Sequence, residues 1–282
     1  MIRLASYGDS LKKDDYECHS RFKRVTNFSN GRAMVALVDE KIGPGPHHIV
    51  VSGLGLEKVE RLKITASGLR LNGRRQTFAE ARRYDSKISL CGEIARERFA
   101  ANLEHFRRCL REIAPPQSMA FLLGPDRRPQ RRSALERSLA ARLARGKDLI
   151  FSPDFFAGIK VLKGLGFGLT PSGDDFIGGI LLALHTGQRI FKRDFSPAIR
   201  TAFKLAAGKN PFSNTLFVHA SEGRAIGKMK DLLAALIYGK RKEVSRCSKQ
   251  LRTIGHSSGI DFGVGLLLTC EKLIRNGGEK WW

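Results

Sequence analysis

The chain has 282 residues and a mass of 31.4 kDa, enough for one large domain or two modest ones. Its 42% hydrophobic and 27% charged residues form an ordinary globular balance that excludes disordered and low-complexity classes. Fifty Lys and Arg against 27 Asp and Glu leave a net charge of +23, which makes nucleic acid the first partner to weigh.

The excess is spread along the chain instead of gathering in a tail or stripe. The densest runs, Arg127-Arg128, Arg131-Arg132 and Lys240-Arg241-Lys242, are short and fall near expected helix ends. This distribution favours anionic small molecules or an acidic partner over nucleic acid. The opening MIRLASYGDSLKKDD turns charged before an apolar signal core can form, so no signal peptide is expected. The longest apolar stretch, Phe176 to Leu184, has nine residues, against the roughly 20 a bilayer requires, so no membrane span or membrane partner is expected either.

Residues 1–90 read as β-rich. Asn30-Gly31 precedes a strand over Arg32–Val38, Gly43–Pro46 breaks the chain, and His48–Val51 and Leu62–Thr65 follow. Leu69–Leu71 runs into Asn72-Gly73, a hairpin signal. Short strands separated by turn signals predict a small antiparallel sheet, either barrel or sandwich.

Beyond residue 90 the period becomes helical. Phe99, Leu103, Phe106, Leu110 and Ile113 form one apolar stripe, stopped by Pro115-Pro116. Ser133 with Glu136 is a capping box before Leu135, Leu139 and Leu143. Ser152-Pro153 and Ser196-Pro197 are read as helix starts, with Gly164 and Gly208 as the matching stops. Further helices are expected near 214–222, 229–238, 243–254 and 260–275. The fold class is therefore α+β, with a β-rich domain over 1–90 and a helical domain over 91–282. The five cysteines at 18, 91, 109, 247 and 270 are widely spaced and lack a CxxC pair. Reduced thiols and a cytoplasmic location are expected.

The most informative stretch is Gly164-Leu-Gly-Phe-Gly-Leu-Thr-Pro-Ser-Gly-Asp-Asp175. No strand precedes it and no Gly-Lys-Ser/Thr closes it, so it is neither a Rossmann fingerprint nor a P-loop. It is a glycine loop whose amides can approach a ligand, feeding a helix start that favours anions. Residues 172–182 align without gaps on residues 258–268, sharing Ser, Gly, Asp, Phe, Gly and two Leu. An internal two-fold repeat that brings two helix starts to one site is the expectation.

A plainer reading exists. Ser172 with Asp175, and Ser258 with Asp261, are variant capping boxes, and Gly178, Gly179, Gly263 and Gly265 would permit close helix packing. Under that reading Asp175 serves stability. Asp174 has no local duty and serves a ligand, and both carboxylates stay ionised at a helix start.

The candidate ligand-binding residues are Gly166, Gly168, Thr170, Ser172, Gly173, Ser258 and Asp261, with Asn214 and Thr215 from the segment Asn210–Thr215. Asp174, Asp175 and His256 are the catalytic candidates. His219 and Glu222, three apart on one helix, form a candidate acid–base pair. Adjacent carboxylates make Mg²⁺ the candidate ion. No GxSxG elbow or cysteine nucleophile motif supports covalent catalysis.

GLGFGLTPSGDD, NTLFVHASEG and GHSSGIDFGVGLLL, in that order, resemble the AllH family, described as a subunit of oxamate carbamoyltransferase. His19–Arg24 with Asn27-Phe28, and Gly43–Pro46, extend the resemblance into the N-terminal half. Phe167 stands where the family commonly has proline. The resemblance implies a role in allantoin and purine-nitrogen breakdown, where oxalurate and phosphate interconvert with oxamate and carbamoyl phosphate. It also implies work beside other subunits. The small anions carbamoyl phosphate, oxamate and phosphate suit glycine-loop amides. The Ser-Thr-Arg-Thr phosphate motif of ordinary carbamoyltransferases is absent from the sequence. Three readings stay open: a carbamoyltransferase subunit, a non-catalytic ligand-binding or scaffold subunit, and a nucleic-acid-associated basic protein.

Overall fold

The computed structural model describes residues 2–53, 55–124 and 133–282. The arginine pairs at 127–128 and 131–132 lie outside the described residues. The chain divides into two compact units, Met1–Lys87 with Arg224–Lys228, and Ile88–Gly223 with Met229–Trp282.

The first unit is one curled, half-barrel sheet of nine strands: β1 (Arg3–Gly8), β2 (Asp15–Phe22), β3 (Val25–Ser29), β4 (Met34–Asp39), β5 (His48–Ser52), β6 (Arg61–Ile64), β7 (Gly68–Leu71), β8 (Arg74–Thr77) and β9 (Arg82–Tyr84). Their order across the sheet is β8-β7-β6-β2-β3-β4-β5-β1-β9. Alternation sets the buried face: in β6, Leu62 and Ile64 are buried while Arg61 and Lys63 are exposed. Those side chains join Tyr16, Phe28, Leu37, Ile49 and Leu69 in the sheet core. The β7–β8 turn places Asn72 and Gly73 both at positive φ, as a type I′ hairpin requires.

The sheet is not purely antiparallel. Strands β4 and β5 pair in parallel, as do β1 and β9. Gly43–Pro46 does end β4. The chain then returns to the start of the same edge instead of folding back as a hairpin, and glycine and proline mark a break without fixing the direction of return.

The second unit is helical. Helix α1 (Arg96–Ile113) buries Phe99, Leu103, Phe106 and Leu110, and α2 (Ala134–Ile150) carries the Ser133–Glu136 capping box with both reciprocal bonds formed. Then come α3 (Phe155–Leu162), α4 (Ser172–Phe191), α5 (Ser196–Ala206), α6 (Pro211–Ser221), α7 (Gly227–Tyr238), α8 (Arg241–Leu251) and α9 (Ser258–Arg275). Helix α3 starts later than Ser152-Pro153 suggests, because the Ser152 hydroxyl donates to the Leu149 carbonyl and closes the preceding turn. All five cysteines are unpaired thiols. Among the described residues, no helix is long and apolar enough to cross a membrane.

Helices α4 and α9 cross at contact distance through glycine. A Cβ at Gly179 would overlap the Phe262 carbonyl oxygen, and one at Gly265 would overlap that of Phe176. No side chain fits between backbones this close.

Candidate functional site

The site is built where α3 hands over to α4. After Leu162 the chain runs through a loop with Gly166 at φ +125° and Gly168 at φ +95°, a region L side chains rarely adopt. Leu165 is buried and anchors the loop, while Phe167 stands 69% exposed at its tip. The Leu165 carbonyl accepts the Gly173 amide at 2.8 Å. A Cβ at Gly173 would overlap the Leu162 carbonyl oxygen, so packing alone accounts for that glycine. Among the described residues, the amides of residues 166–170 donate to no protein group.

The two expected capping boxes do not form. Ser172 is already helical, and neither α4 nor α9 has a side-chain cap. Instead the Pro171 carbonyl takes the Asp174 and Asp175 amides, and the Ser257 carbonyl takes those of Ile260 and Asp261. This frees the serines and carboxylates for contacts between helices. Thr170 Oγ1 donates to Asp175 Oδ2 at 3.2 Å and lies 3.2 Å from Ser258 Oγ. The α4 and α9 starts therefore meet, hydroxyl to hydroxyl.

Three buried carboxyls belong to these two helix starts, at 3% exposure for Asp174, 4% for Asp175 and 0% for Asp261. Asp174, expected to be unengaged, accepts from the Gly164 amide at 2.7 Å and the Ser213 hydroxyl at 2.6 Å. Burial raises its pKa, with both donors and Lys163 pulling the other way. Asp175 is pushed well above the ordinary carboxylate range, first by burial and then by the charge of Asp261. Burial likewise raises Asp261 to about 6.

Against the expectation that helix-start carboxylates stay ionised, burial of the two helix ends against each other pushes all three carboxyls upward, opposing the dipole. Asp261 Oδ1 accepts the Met119 amide at 2.6 Å. Ser172 and Ser257 favour its charged form, yet Oδ2 has no partner within hydrogen-bond distance, so those two hydroxyls act from longer range.

The segment 210–215 reaches the loop through residues the sequence reading passed over. Asn210 caps α6, accepting from the Phe212 and Ser213 amides, and donates to the Leu169 carbonyl at 2.8 Å. Ser213 binds Asp174. Asn214 instead exchanges two hydrogen bonds with the Gly208 backbone, and Thr215 is half-buried further along α6. His219 is buried nearly two turns beyond Ser213, and Glu222 is the C-cap residue of α6. His256 is exposed, and its carbonyl accepts from Arg252.

Both Asp174 oxygens and Asp175 Oδ2 accept from protein donors. Among the described residues no group of three or more His, Cys, Asp and Glu could hold a metal. A groove of about 960 Å³ opens in the sheet unit between Asp14, Asp15, Arg61, Lys63 and Arg70. Its charges are partly paired internally, Lys63 with Asp15 at 2.8 Å, and it shares no residue with the glycine loop.

The glycine loop, the α6 cap and the start of α9 all fall within the stretch covered by a family comparison. Residues 162–270 match the family model of AllH, the oxamate carbamoyltransferase subunit. The AllH match starts at the last residue of α3 and ends inside α9, so it takes in the loop, Ser213, Ser258 and Asp261. The N-terminal segments at 19–28 and 43–46 lie outside it. Searches of curated proteins and of solved structures give no match.

Proposed function

We propose that this chain is the component of an oxamate carbamoyltransferase-like assembly that binds a small anion at the joined starts of α4 and α9. One observation carries the reading. Within the AllH match, five unengaged loop amides adjoin the place where Thr170 and Ser258 meet. Backbone amides at a helix start suit a phosphate or carboxylate.

Carbamoyl transfer from carbamoyl phosphate to oxamate requires stabilisation of phosphate and of a developing oxyanion more than a side-chain nucleophile. That the three carboxyls are buried, and that His256 is exposed, favours a binding role within a larger assembly over catalysis by this chain alone. The reciprocal glycine and carbonyl contacts of α4 and α9 support reading them as halves of an internal repeat that built this site by duplication.

The test is titration with inorganic phosphate and with oxamate, for wild type and Gly168→Asp. A Cβ at Gly168 meets open space, but φ +95° strains any L residue there. Gly168→Ala is therefore titrated beside it as the control for strain, and the further loss in Gly168→Asp reports repulsion of an anion bound to the loop amides by the new carboxylate. At least a tenfold loss of affinity in a variant that still melts cooperatively is expected, and unchanged affinity rejects the site. Oxalurate formation assayed for the chain alone and with its partner subunits separates a binding component from a complete enzyme.

A further inference from the structure

The groove of the sheet unit gathers more positive charge than it pairs. Arg61 and Lys63 on β6 and Arg70 on β7 stand on the exposed face, opposite the core residues Leu62, Ile64, Leu69 and Leu71. Register carries the row further: Lys63 lies opposite Arg70, and Arg70 opposite Arg75 of β8. Like charges directly opposite each other on neighbouring strands cost stability. Arg32 lines the groove from the β3–β4 turn. There Asn30 accepts from the Arg32 and Ala33 amides and donates to Asp14 Oδ2 at 2.7 Å, which braces the turn.

The carboxylates of the groove do not balance this row. Asp15 is taken by Lys63 at 2.8 Å, and Asp14 accepts from Asn30 and from the Asp15 amide. Glu17, the cross-strand neighbour of Arg61, leaves one charge against four guanidiniums. Among the described residues, the side chains of Arg32, Arg61, Arg70 and Arg75 make no hydrogen bond and no ion pair. A ligand that neutralises them accounts for repelling cations held in register.

Guanidinium forks match the oxygens of phosphates and carboxylates two at a time. Lys63 and Arg75 lie two strand spacings apart, about 10 Å, so neutralising the row takes several anionic groups close together, as in a phosphate chain. Among the described residues, Tyr16 alone brings an aromatic ring to the groove, and it is 1% exposed, with its hydroxyl donating to the Lys12 carbonyl. The groove thus lacks a stacking platform for a nucleobase. Its volume of about 960 Å³ lies in the small-molecule range.

We propose that this groove binds a compact oligophosphate, two or more linked phosphates free or carried by a nucleotide, read through its phosphates alone with Arg61 and Arg70 as the principal contacts. The site is independent of the anion reading of the glycine loop, with which it shares no residue.

Inorganic tripolyphosphate is the probe, titrated calorimetrically into the full chain at neutral pH and about 0.15 M salt, which screens diffuse surface charge. Wild type should bind it at least tenfold tighter than inorganic phosphate. Arg61→Gln with Arg70→Gln should lower that affinity tenfold or more. Arg82→Gln with Arg83→Gln removes the same charge from β9, at the far edge of the sheet, and should leave it unchanged. All four side chains are exposed, and melting curves check that both double variants fold. ADP should bind as pyrophosphate does. Equal losses in the two double variants reduce the binding to net charge, and a loss confined to Gly168→Asp assigns the ion to the glycine loop. Either result overturns the groove site. So does ADP binding tenfold tighter than pyrophosphate, which shows a base being read, or oligothymidine outcompeting tripolyphosphate through the same arginines, which makes the groove a nucleic-acid surface. Absence of binding at about 1 mM, where weak specific sites register, overturns it outright.

Discussion

Asp174 and Asp175 stand side by side in the sequence, yet the fold gives each of them contacts that local spacing does not suggest. Asp175 is three residues after Ser172, which is capping-box spacing, but it turns toward Thr170 and Asp261. Asp174 ties the loop at Gly164 to α6 at Ser213. Sequence spacing reveals contacts within one turn. The likeness of 172–182 to 258–268 points to Ser258, 88 residues from Thr170, whereas nothing in the sequence points to Met119, 142 residues from Asp261.

The Asp175–Asp261 pair has a measurable consequence. A carboxyl whose folded pKa lies above its unfolded value binds more protons in the native state, so stability falls as pH rises between the two. For Asp261 that window runs from 3.8 to about 6. The loss across it is about 3 kcal/mol, at 1.36 kcal/mol per tenfold change in proton affinity. Asp261→Asn keeps an acceptor for the Met119 amide and removes the buried charge. The variant should lack this fall and be the more stable protein above pH 7. Denaturant melts of both proteins from pH 4 to 8 check it, and parallel stability profiles would refute the buried-charge account.

At the scale of elements, what was legible followed from signals complete within a few residues. The α1 stripe, the Ser133–Glu136 capping box and the Asn72-Gly73 hairpin all appear as expected. Strands β1, β2, β3, β8 and β9 were missed. Strand β2 does alternate, with exposed Asp15, Glu17, His19 and Arg21 against the more buried Tyr16, Cys18 and Ser20, but its second face carries few apolar residues and its pairing partners are set by the fold. The glycines of α4 and α9 were legible as packing positions, but only the fold shows which backbone each one meets.

Gly265→Ala is the sharp test of that crossing. In an ordinary helix interior this change stabilises by about 1 kcal/mol. Here the new methyl overlaps the Phe176 carbonyl, and backbone cannot move aside as a side chain can. A net destabilisation of about 2 kcal/mol or more is expected, typical of overpacking. Gly178→Ala, whose nearest neighbours are atoms of the Leu216 and Phe262 side chains, should be milder. A raised melting temperature for Gly265→Ala would show that α4 and α9 do not pack this closely.

Across the whole molecule, the least legible feature is that residues 224–228, deep in the helical half of the sequence, belong to the sheet unit. A boundary drawn by change of period assigns each stretch once, and no periodicity marks a five-residue return. The return is held by polar groups. Arg224 donates to Asp9 Oδ2 at 2.7 Å and to the Ser86 hydroxyl at 3.1 Å, and Ser86 donates to Asp9 at 2.6 Å. The Tyr84 hydroxyl and the Gly227 amide bond the Ala225 and Pro44 carbonyls.

Burial alone would raise the Asp9 carboxyl, but the Ser86 hydroxyl and amide together with Arg224 hold it below its ordinary value. Its linkage therefore runs opposite to that of Asp261: the contribution is present above the unfolded pKa of 3.8 and is lost as pH falls through the lowered native value. Asp9→Ala leaves the Arg224 guanidinium, whose side chain is 18% exposed, without its carboxylate. The cost should be about 2–3 kcal/mol, below that of breaking a fully buried pair. Because Ser86 and Arg224 lose their common acceptor at once, the damage should be local as well as global. Hydrogen exchange should quicken at the Ala225 and Gly227 amides, which bond Ser86 and Pro44, before it quickens in α4 or α9. Uniform loss of protection along the whole chain, or none at residues 224–228, would mean that the Asp9 cluster does not hold the return segment in the sheet unit.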